Sequence, residues 1–234
     1  DDGVVIGQPV KPDDPALAAA TELTALLQAR GVTVAGGAAH DVLPSGTDTI
    51  IDVPSASVSA IINEMLVNSD NNTAETLLKQ VGLKGKGVGS TSNGLAVVSD
   101  TLKKWGIDAD WEMHDGSGLS SGNRFSCALF DALLERFVDR FPSLLAVAGK
   151  TGTLRDMFRD GPLDGVLVGK TGTLSGVKAL AGYVPVEGDS PVRFVMLLNK
   201  DGIDNKTAYR PIWALLGNGL GRASAGPRID DLAP

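Results

Sequence analysis

Apolar side chains recur at the spacing of an amphipathic helix along most of the chain. Asp14-Pro15 begins the first helical pattern and Gly31 ends it. A polar break over 68–72 separates the second pattern from the third. The six predicted helices carry these apolar positions: Leu17, Leu23, Leu26 and Leu27; Val58, Ile61, Ile62, Met65 and Leu66; Ala74, Leu77, Leu78 and Val81; Leu95, Val98, Leu102 and Trp105; Cys127, Phe130, Leu133, Leu134, Phe137, Val138 and Phe141; Ile212, Trp213, Leu215, Leu216 and Leu220.

Strand-like segments lie mainly between the fifth and sixth helical patterns. They span 167–173, 177–184 and 192–199, and short turns with Gly176 and Gly188 separate them. Such spacing predicts an antiparallel meander, and a further short strand is predicted at 32–34. Helices before and after an antiparallel meander predict the α+β class.

Composition agrees with a folded domain, because 43% of the 234 residues are hydrophobic. The net charge of -7 does not favour nucleic acid or anionic lipid as a partner. No run reaches the roughly 18 apolar residues that span a bilayer. The single cysteine, Cys127, cannot form an internal disulfide, and its place in a helical pattern predicts a buried thiol.

Two short motifs carry possible chemistry. Ser69-Asp70-Asn71 lies at the polar break, and Lys-Thr-Gly lies in the first strand of the meander at 170–172. The surrounding hexamer, 169–174, repeats letter for letter at 149–154. The first motif is also a good helix start, with Asn72 as the cap and Glu75 three residues later. The order and placement of both motifs nevertheless match the second and third signatures of serine penicillin-interacting enzymes.

These residue types fit an acyl-transfer cleft. Ser69 can relay a proton to a leaving amine, and Asn71 can hold the amide carbonyl of a substrate. Lys170 can orient that relay and attract a terminal carboxylate.

The residues after Lys170 fit the same cleft. The hydroxyls of Thr171 and Thr173 can donate to the carboxylate, and Gly172 lets an extended substrate lie close to the strand.

Longer stretches resemble the class C penicillin-binding proteins, the serine carboxypeptidase/endopeptidase family. They span 65–75, 115–120 and 169–184. The resemblance implies a penicillin-binding/β-lactamase-like transpeptidase fold, with an antiparallel sheet, flanking helices and a helical subdomain. It also implies cleavage at D-alanine in peptidoglycan peptides through an acyl-serine that β-lactams trap. The amide of Thr173 would then form half of an oxyanion hole.

The same resemblance implies an organisation for this chain. It would be the C-terminal part of the catalytic domain, with a leading helix and strand at 1–45 next to inserted domains. A helical subdomain would follow at 46–145, and the sheet with its C-terminal helix at 146–234. The family also places an Ala-Gly-x-x-Gly-Thr-Leu segment before the true motif, which 148–154 matches. Lys150 would therefore lie outside the cleft.

The nucleophile is not evident, because the family expects Ser-x-x-Lys near the protein's N-terminus. Here Ser-x-x-Lys occurs only at Ser175 to Lys178, in a turn and strand where both side chains would point to opposite faces. We therefore expect a missing N-terminal segment of the same protein to supply the acylating serine.

Other candidate residues are weaker. His40 and His114 lie far apart with no triad order, and no motif indicates a metal or another cofactor. Asp115 and Ser120 are expected to support the cleft, on the family resemblance alone. The second Ser-x-Asn, at 121–123, fits a turn.

Three hypotheses follow. The chain is part of a D-alanyl-D-alanine carboxypeptidase/endopeptidase, a catalytically inactive peptidoglycan-binding relative, or a β-lactamase. The first implies as partners peptides ending in D-Ala-D-Ala, β-lactams and the complementary N-terminal fragment, with no nucleic acid. It also implies an extracytoplasmic location.

Overall fold

A computed structural model describes residues 12–39, 41–42, 44–49 and 51–224. The chain divides into two units, 1–54 and 55–234, and each is described by itself. His40 and the tail after Ser224 lie outside the described residues.

The first unit contains helix α1, Pro15–Ala29. Asp14 caps it by accepting a hydrogen bond from the amide of Leu17 at 2.9 Å, as the Asp-Pro start predicted. The leucines of its predicted apolar face are exposed. The predicted strand at 32–34 is wrong, because these residues have no regular structure. A strand needs a partner ladder, and the described residues of this unit contain no other strand.

The second unit contains the other five helices among the described residues, and each overlaps a predicted pattern. They are α2 Val58–Asn68, α3 Asn71–Lys86, α4 Thr91–Lys104, α5 Cys127–Arg136 and α6 Lys206–Ser224. Side-chain caps at Ser57, Asp70, Ser90 and Ser126 satisfy amides at the starts of α2 to α5. The predicted cap at Asn72 is wrong, since Asp70 accepts from the amide of Thr73 at 2.6 Å.

Helix α5 is shorter than its apolar pattern. It ends at Arg136, and a separate 3-10 turn forms at Phe141–Leu144, with Pro142 near its start. Phe137 and Phe141 still stack at 4.9 Å, so the apolar pattern reflects packing beyond the helix. The predicted burial of Cys127 is also wrong, because it is exposed at the first turn of α5.

The main sheet confirms the predicted antiparallel meander. Its strands are β3 Ala146–Val147, β4 Val168–Leu174, β5 Val177–Val186 and β6 Asp189–Asn199, in that spatial order. A small ladder of β1 Trp111–Glu112 and β2 Arg124–Phe125 lies apart from it. The α+β class is confirmed.

Alternate residues of β5 contribute to two different apolar clusters. Leu180 and Val184 pack in a cluster that contains Tyr209 and Trp213 of α6. Tyr183 belongs to the other cluster, with Leu134 of α5, and its hydroxyl donates to the carbonyl of Leu134 at 2.7 Å. The sheet thus has helix α6 on one face and α5 on the other.

Candidate active site

Ser69 and Lys170 come together although they are 101 residues apart in sequence. Lys170 Nζ donates to Ser69 Oγ at 2.6 Å and to the carbonyl oxygen of Thr171 at 2.7 Å. Ser69 ends α2 in the left-handed conformation, with φ 59° and ψ 48°. This conformation stops the helix and exposes the hydroxyl to the sheet, at an energetic cost for a residue other than glycine.

A glycine allows α2 to end close to the sheet. A Cβ atom at Gly152 would collide with the carbonyl oxygen of Val67, two residues before Ser69. Gly152 also has φ +50°, in the region that side chains disfavour. The short turn Gly152–Leu154 therefore seats the end of α2 next to the motif strand β4.

Burial lowers the pKa of Lys170 to about 8. The cause is desolvation, which disfavours the charged ammonium. Among the described residues, Lys170 forms no ion pair with a carboxylate that would counter this effect. The side chain is still mostly cationic at neutral pH, and it is ready to interact with an anionic ligand.

The two copies of the hexamer, 149–154 and 169–174, lie in different surroundings. Thr171 Oγ1 donates to Thr153 Oγ1 at 2.9 Å, so the first copy does reach the site through its threonine. Sequence reasoning missed Thr153, although the repeat itself pointed to that stretch. Lys150 instead pairs with Asp164 at 3.2 Å and its side chain is 58% exposed.

Strand β4 offers a free edge along the motif. β3 pairs with it only at Val168 and Gly169, so 170–174 has no strand partner on that side among the described residues. An unpaired edge can accept an extended peptide through its backbone groups. Gly172 carries no side chain to obstruct such a peptide.

Thr173 is exposed near the end of that edge, and a residue of the neighbouring strand donates a hydrogen bond to its hydroxyl. Lys178 Nζ donates to Thr173 Oγ1 at 2.7 Å, and the two residues are paired across β4 and β5. Ser175 lies exposed in the turn between them. It makes no hydrogen bond to Lys178 within the described part of the chain, so this Ser-x-x-Lys is no nucleophile–base pair.

Asn71 is the first residue of α3 and is half-buried. Its side chain makes no hydrogen bond to any described residue, so the structure does not link it to Lys170. A polar group that is free at this point remains available to a ligand.

The loop at 115–120 is held together mainly by carboxylates. Asp115 accepts from the amides of Gly118 at 2.8 Å and Ser120 at 2.5 Å. Glu75 Oε1 accepts from the amides of Gly116 at 3.0 Å and Ser117 at 2.9 Å, and from Ser117 Oγ at 2.6 Å. Sequence reasoning assigned Glu75 to a helix cap and missed this role.

Two other sequence candidates take part in turns. Asn123 accepts from the amide of His114 at 2.8 Å and donates to Asp115 at 2.9 Å. The ring of His114 lies 3.0 Å from Glu112 and is exposed. No described contact brings His114 to Ser69 or Lys170.

A mainly apolar cavity of about 680 Å³ adjoins the motif strand. Its polar side is formed by residues of β4 and of the 115–120 loop: Lys170, Thr171, Gly172, Asp115, Gly116 and Gly118. The apolar side comes from α2, α4, α5 and the sheet, and includes Leu66, Leu102, Phe130, Leu133 and Leu197.

Comparison with known proteins places the chain in a family. A family model described as the D-Ala-D-Ala carboxypeptidase 3 (S13) family matches residues 6–218. The chain belongs to this family.

Relatives of the S13 family share moderate identity with this chain. The D-alanyl-D-alanine carboxypeptidase of Actinomadura sp. (strain R39) is 35% identical over 187 residues, which cover 74% of this chain and 35% of that protein. The carboxypeptidase DacB of Mycolicibacterium smegmatis is 30% identical over 190 residues, which cover 75% and 41%.

Solved structures support the same fold. Penicillin binding protein 4 (dacB) from Haemophilus influenzae, in complex with a β-lactam, matches with a TM-score of 0.69 and 22% identity. That match covers 89% of this chain and 52% of the other. This S13 chain therefore spans roughly a third to a half of the length of the relatives it matches.

Proposed function

We propose that this chain is the C-terminal part of a serine D-alanyl-D-alanine carboxypeptidase/endopeptidase that acts on peptidoglycan stem peptides. The observation that carries the proposal is the 2.6 Å contact from Lys170 Nζ to Ser69 Oγ beside the unpaired edge of β4. It combines a fixed cation, a hydroxyl relay and a peptide-binding edge, as amide cleavage at a terminal carboxylate requires.

The reaction can be written with all atoms balanced. A serine Oγ attacks the carbonyl carbon of the penultimate D-alanine, and its proton passes to a general base. The C–N bond then breaks, Ser69 delivers its hydroxyl proton to the nitrogen and is reprotonated from the general base, and D-alanine leaves as the free amino acid. Water hydrolyses the remaining ester and regenerates the serine.

Other residues would hold the substrate during these steps. The cation of Lys170 and the hydroxyl of Thr173 would bind the terminal carboxylate. The Thr171 hydroxyl would join them by turning its proton from Thr153 Oγ1 to the ligand. Asn71, whose side chain is free of described partners, would hold the amide carbonyl. The amide of Thr173 would donate to the oxyanion, and Asp115 and Ser120 would keep the loop in place beside the cleft.

The serine and its base would come from an N-terminal segment of the same protein. The apolar cavity beside Lys170 supports this part of the proposal, because its lining fits the apolar face of a helix that carries Ser-x-x-Lys. Such a helix would place its polar end next to Ser69 and Lys170. β-Lactams would acylate that serine, and the enzyme would act outside the cytoplasm.

Two alternative functions are distinguished by the experiment below. A binding-only relative would lack turnover, although it would not need the Ser69 to Lys170 contact. A β-lactamase would use similar motifs, but membership of the S13 family favours the carboxypeptidase. Among the described residues, no helix is long and apolar enough to cross a membrane.

The test is mass spectrometry of the full-length protein after incubation with a labelled penicillin, first on the intact chain and then on its proteolytic peptides, which locate the label. We expect the label on the N-terminal part, at a serine followed three residues later by lysine. No label on any part would contradict the proposal, and label on 1–234 would make Ser175 the candidate. Rapid loss of the label with release of opened penicillin would favour the β-lactamase.

The duplicated hexamer provides a matched control for the same assay. Lys170→Met should slow acylation by about 100-fold, a typical loss for one electrostatic group in an acyl-transfer site. Lys150→Met removes the corresponding lysine of the other copy, whose ion pair is exposed, and should leave the rate within about twofold. Equal effects of the two substitutions would refute the assignment of Lys170.

A further inference from the structure

Lys178 is the most completely buried charged residue among the described residues, with 5% of its surface exposed, whereas Lys170 is half-buried. It lies on β5, opposite Thr173 of the motif strand. The resemblance to a penicillin-binding family gave it no role, and the chemistry proposed above does not use it. Its burial therefore requires a separate explanation.

Aromatic rings flank the ammonium of Lys178, and no described carboxylate pairs with it. Its Nζ lies 4.2 Å from the ring centre of Tyr209 and 5.2 Å from that of Trp213. It forms no ion pair with any described carboxylate. Asp204 and Lys206 act on it only at longer range, and burial lowers its pKa. Asp204 Oδ1 instead accepts from the amide of Gly176 at 3.0 Å.

The fold itself does not require this charge. Burying an ammonium costs free energy, whereas a methionine of similar length would fill the same space without desolvation. The hydrogen bond that Lys178 makes is directed at one atom, Thr173 Oγ1. Thr173 is therefore the residue through which Lys178 can act.

An ammonium can only donate hydrogen bonds, so Thr173 Oγ1 must accept this one. The single hydroxyl proton of Thr173 is then left to donate elsewhere, and the side chain is exposed beside the free edge of β4. We infer that Lys178 is a positioning residue that commits the Thr173 hydroxyl to donating to the terminal carboxylate of the substrate. This inference rests on the proposed function.

Lys178 would also add positive charge behind the carboxylate site without touching the ligand. A cation on the far side of a hydroxyl strengthens the hydrogen bond that the hydroxyl donates. The predicted selectivity is therefore for ligands that end in a carboxylate. A ligand that ends in a neutral amide would gain little from this arrangement.

The test compares two peptides in the full-length enzyme, one ending in D-Ala-D-Ala and the other in its C-terminal carboxamide. Lys178→Met should lower kcat/KM for the carboxylate peptide by about tenfold, mainly through KM, as expected for one charge-assisted hydrogen bond. For the carboxamide peptide, the change should stay within about twofold. Equal losses on both peptides would overturn the inference.

Thr173 variants decide whether Lys178 acts through this hydroxyl. Thr173→Val should reproduce the selective loss, Thr173→Ser should retain most of the selectivity, and adding Lys178→Met to Thr173→Val should cause little further loss. Full additivity would overturn the inference. If Lys178→Met does not fold, the valine and serine variants give the decision alone, and equal behaviour of those two would overturn it.

Failure of the proposed function gives a different result. In that case, the wild-type protein would cleave neither peptide and would take no penicillin label. A wild-type enzyme that cleaves the carboxylate peptide, with no selective loss in Lys178→Met, would contradict the inference about Lys178 alone.

Discussion

At the scale of single residues, the site depends on a lysine whose pKa is lowered to about 8 by burial. If the cation of Lys170 orients Ser69 and attracts the carboxylate, activity is present below this pKa and lost above it. The effect on folding has the opposite sign. A folded-state pKa below the unfolded value of 10.5 means that this group's destabilising effect is relieved as pH rises from about 8 to 10.5.

This difference in sign gives a prediction. The rate of penicillin acylation should fall as pH rises through about 8, while the Lys170 contribution to stability increases. Lys170→Arg keeps its charge throughout, so its rate should be lower at pH 7 but should not fall near pH 8. Acylation rates and denaturant midpoints between pH 6 and about 10 provide the measurement. An unchanged decline in the arginine variant would show that another group is responsible.

The backbone of Ser69 gives a second prediction at this scale. Because Ser69 has φ 59°, glycine should be tolerated there better than alanine. Ser69→Gly should be more stable than Ser69→Ala by about 0.5–1 kcal/mol, since the left-handed penalty exceeds the entropy cost of glycine. Urea unfolding checks the order. Both variants lack the hydroxyl and should lose activity together, so recovery of activity in the glycine variant would contradict a role for Ser69 Oγ.

At the scale of elements, periodicity was sufficient to locate the helices and the meander. It did not record a buried face in α1, whose leucines are exposed. Two of the errors concern where an element forms or ends. The segment at 32–34 lacks a described strand to pair with, and α5 stops before its apolar pattern does. The motifs singled out Ser69 and Lys170, which the structure brings into contact, but they did not indicate the contacts of Glu75, Thr153 and Lys178.

The loop between α4 and α5 shows how one such contact organises an element. Glu75 Oε1 accepts three hydrogen bonds from Gly116 and Ser117. Glu75→Ala would leave these donors without their partner and should lower the free energy of unfolding by about 1–3 kcal/mol. Thermal unfolding measures the loss, and hydrogen exchange at the two amides should accelerate.

Glu75→Gln is the matched variant, because its amide oxygen can still accept. We expect it to lose less stability than Glu75→Ala, since only the charge assistance disappears. Equal losses, with unchanged exchange at Gly116 and Ser117, would mean that the carboxylate does not hold the loop.

At the scale of the whole molecule, the proposed N-terminal segment would cover the cavity of about 680 Å³ beside Lys170. Its apolar lining is costly to leave exposed to water. We expect residues 1–234, prepared alone, to self-associate and to bind a hydrophobic dye. The N-terminal segment of the same protein should restore both a single species and penicillin acylation. A monodisperse isolated chain at high dilution that does not bind the dye would contradict this expectation.

A pair of substitutions can locate that assembly at the cavity. Phe130 lines the cavity and packs edge-on against Phe125, with 5.8 Å between their ring centres, whereas Leu215 is 72% exposed on α6. Phe130→Asp should prevent recovery of acylation by the added segment, because a carboxylate buried against an apolar helix is strongly disfavoured. Leu215→Asp introduces the same charge at an exposed position and should allow recovery. If both variants recover equally well, the segment binds somewhere other than this cavity, and the source of the nucleophile would have to be sought on a different face of the sheet.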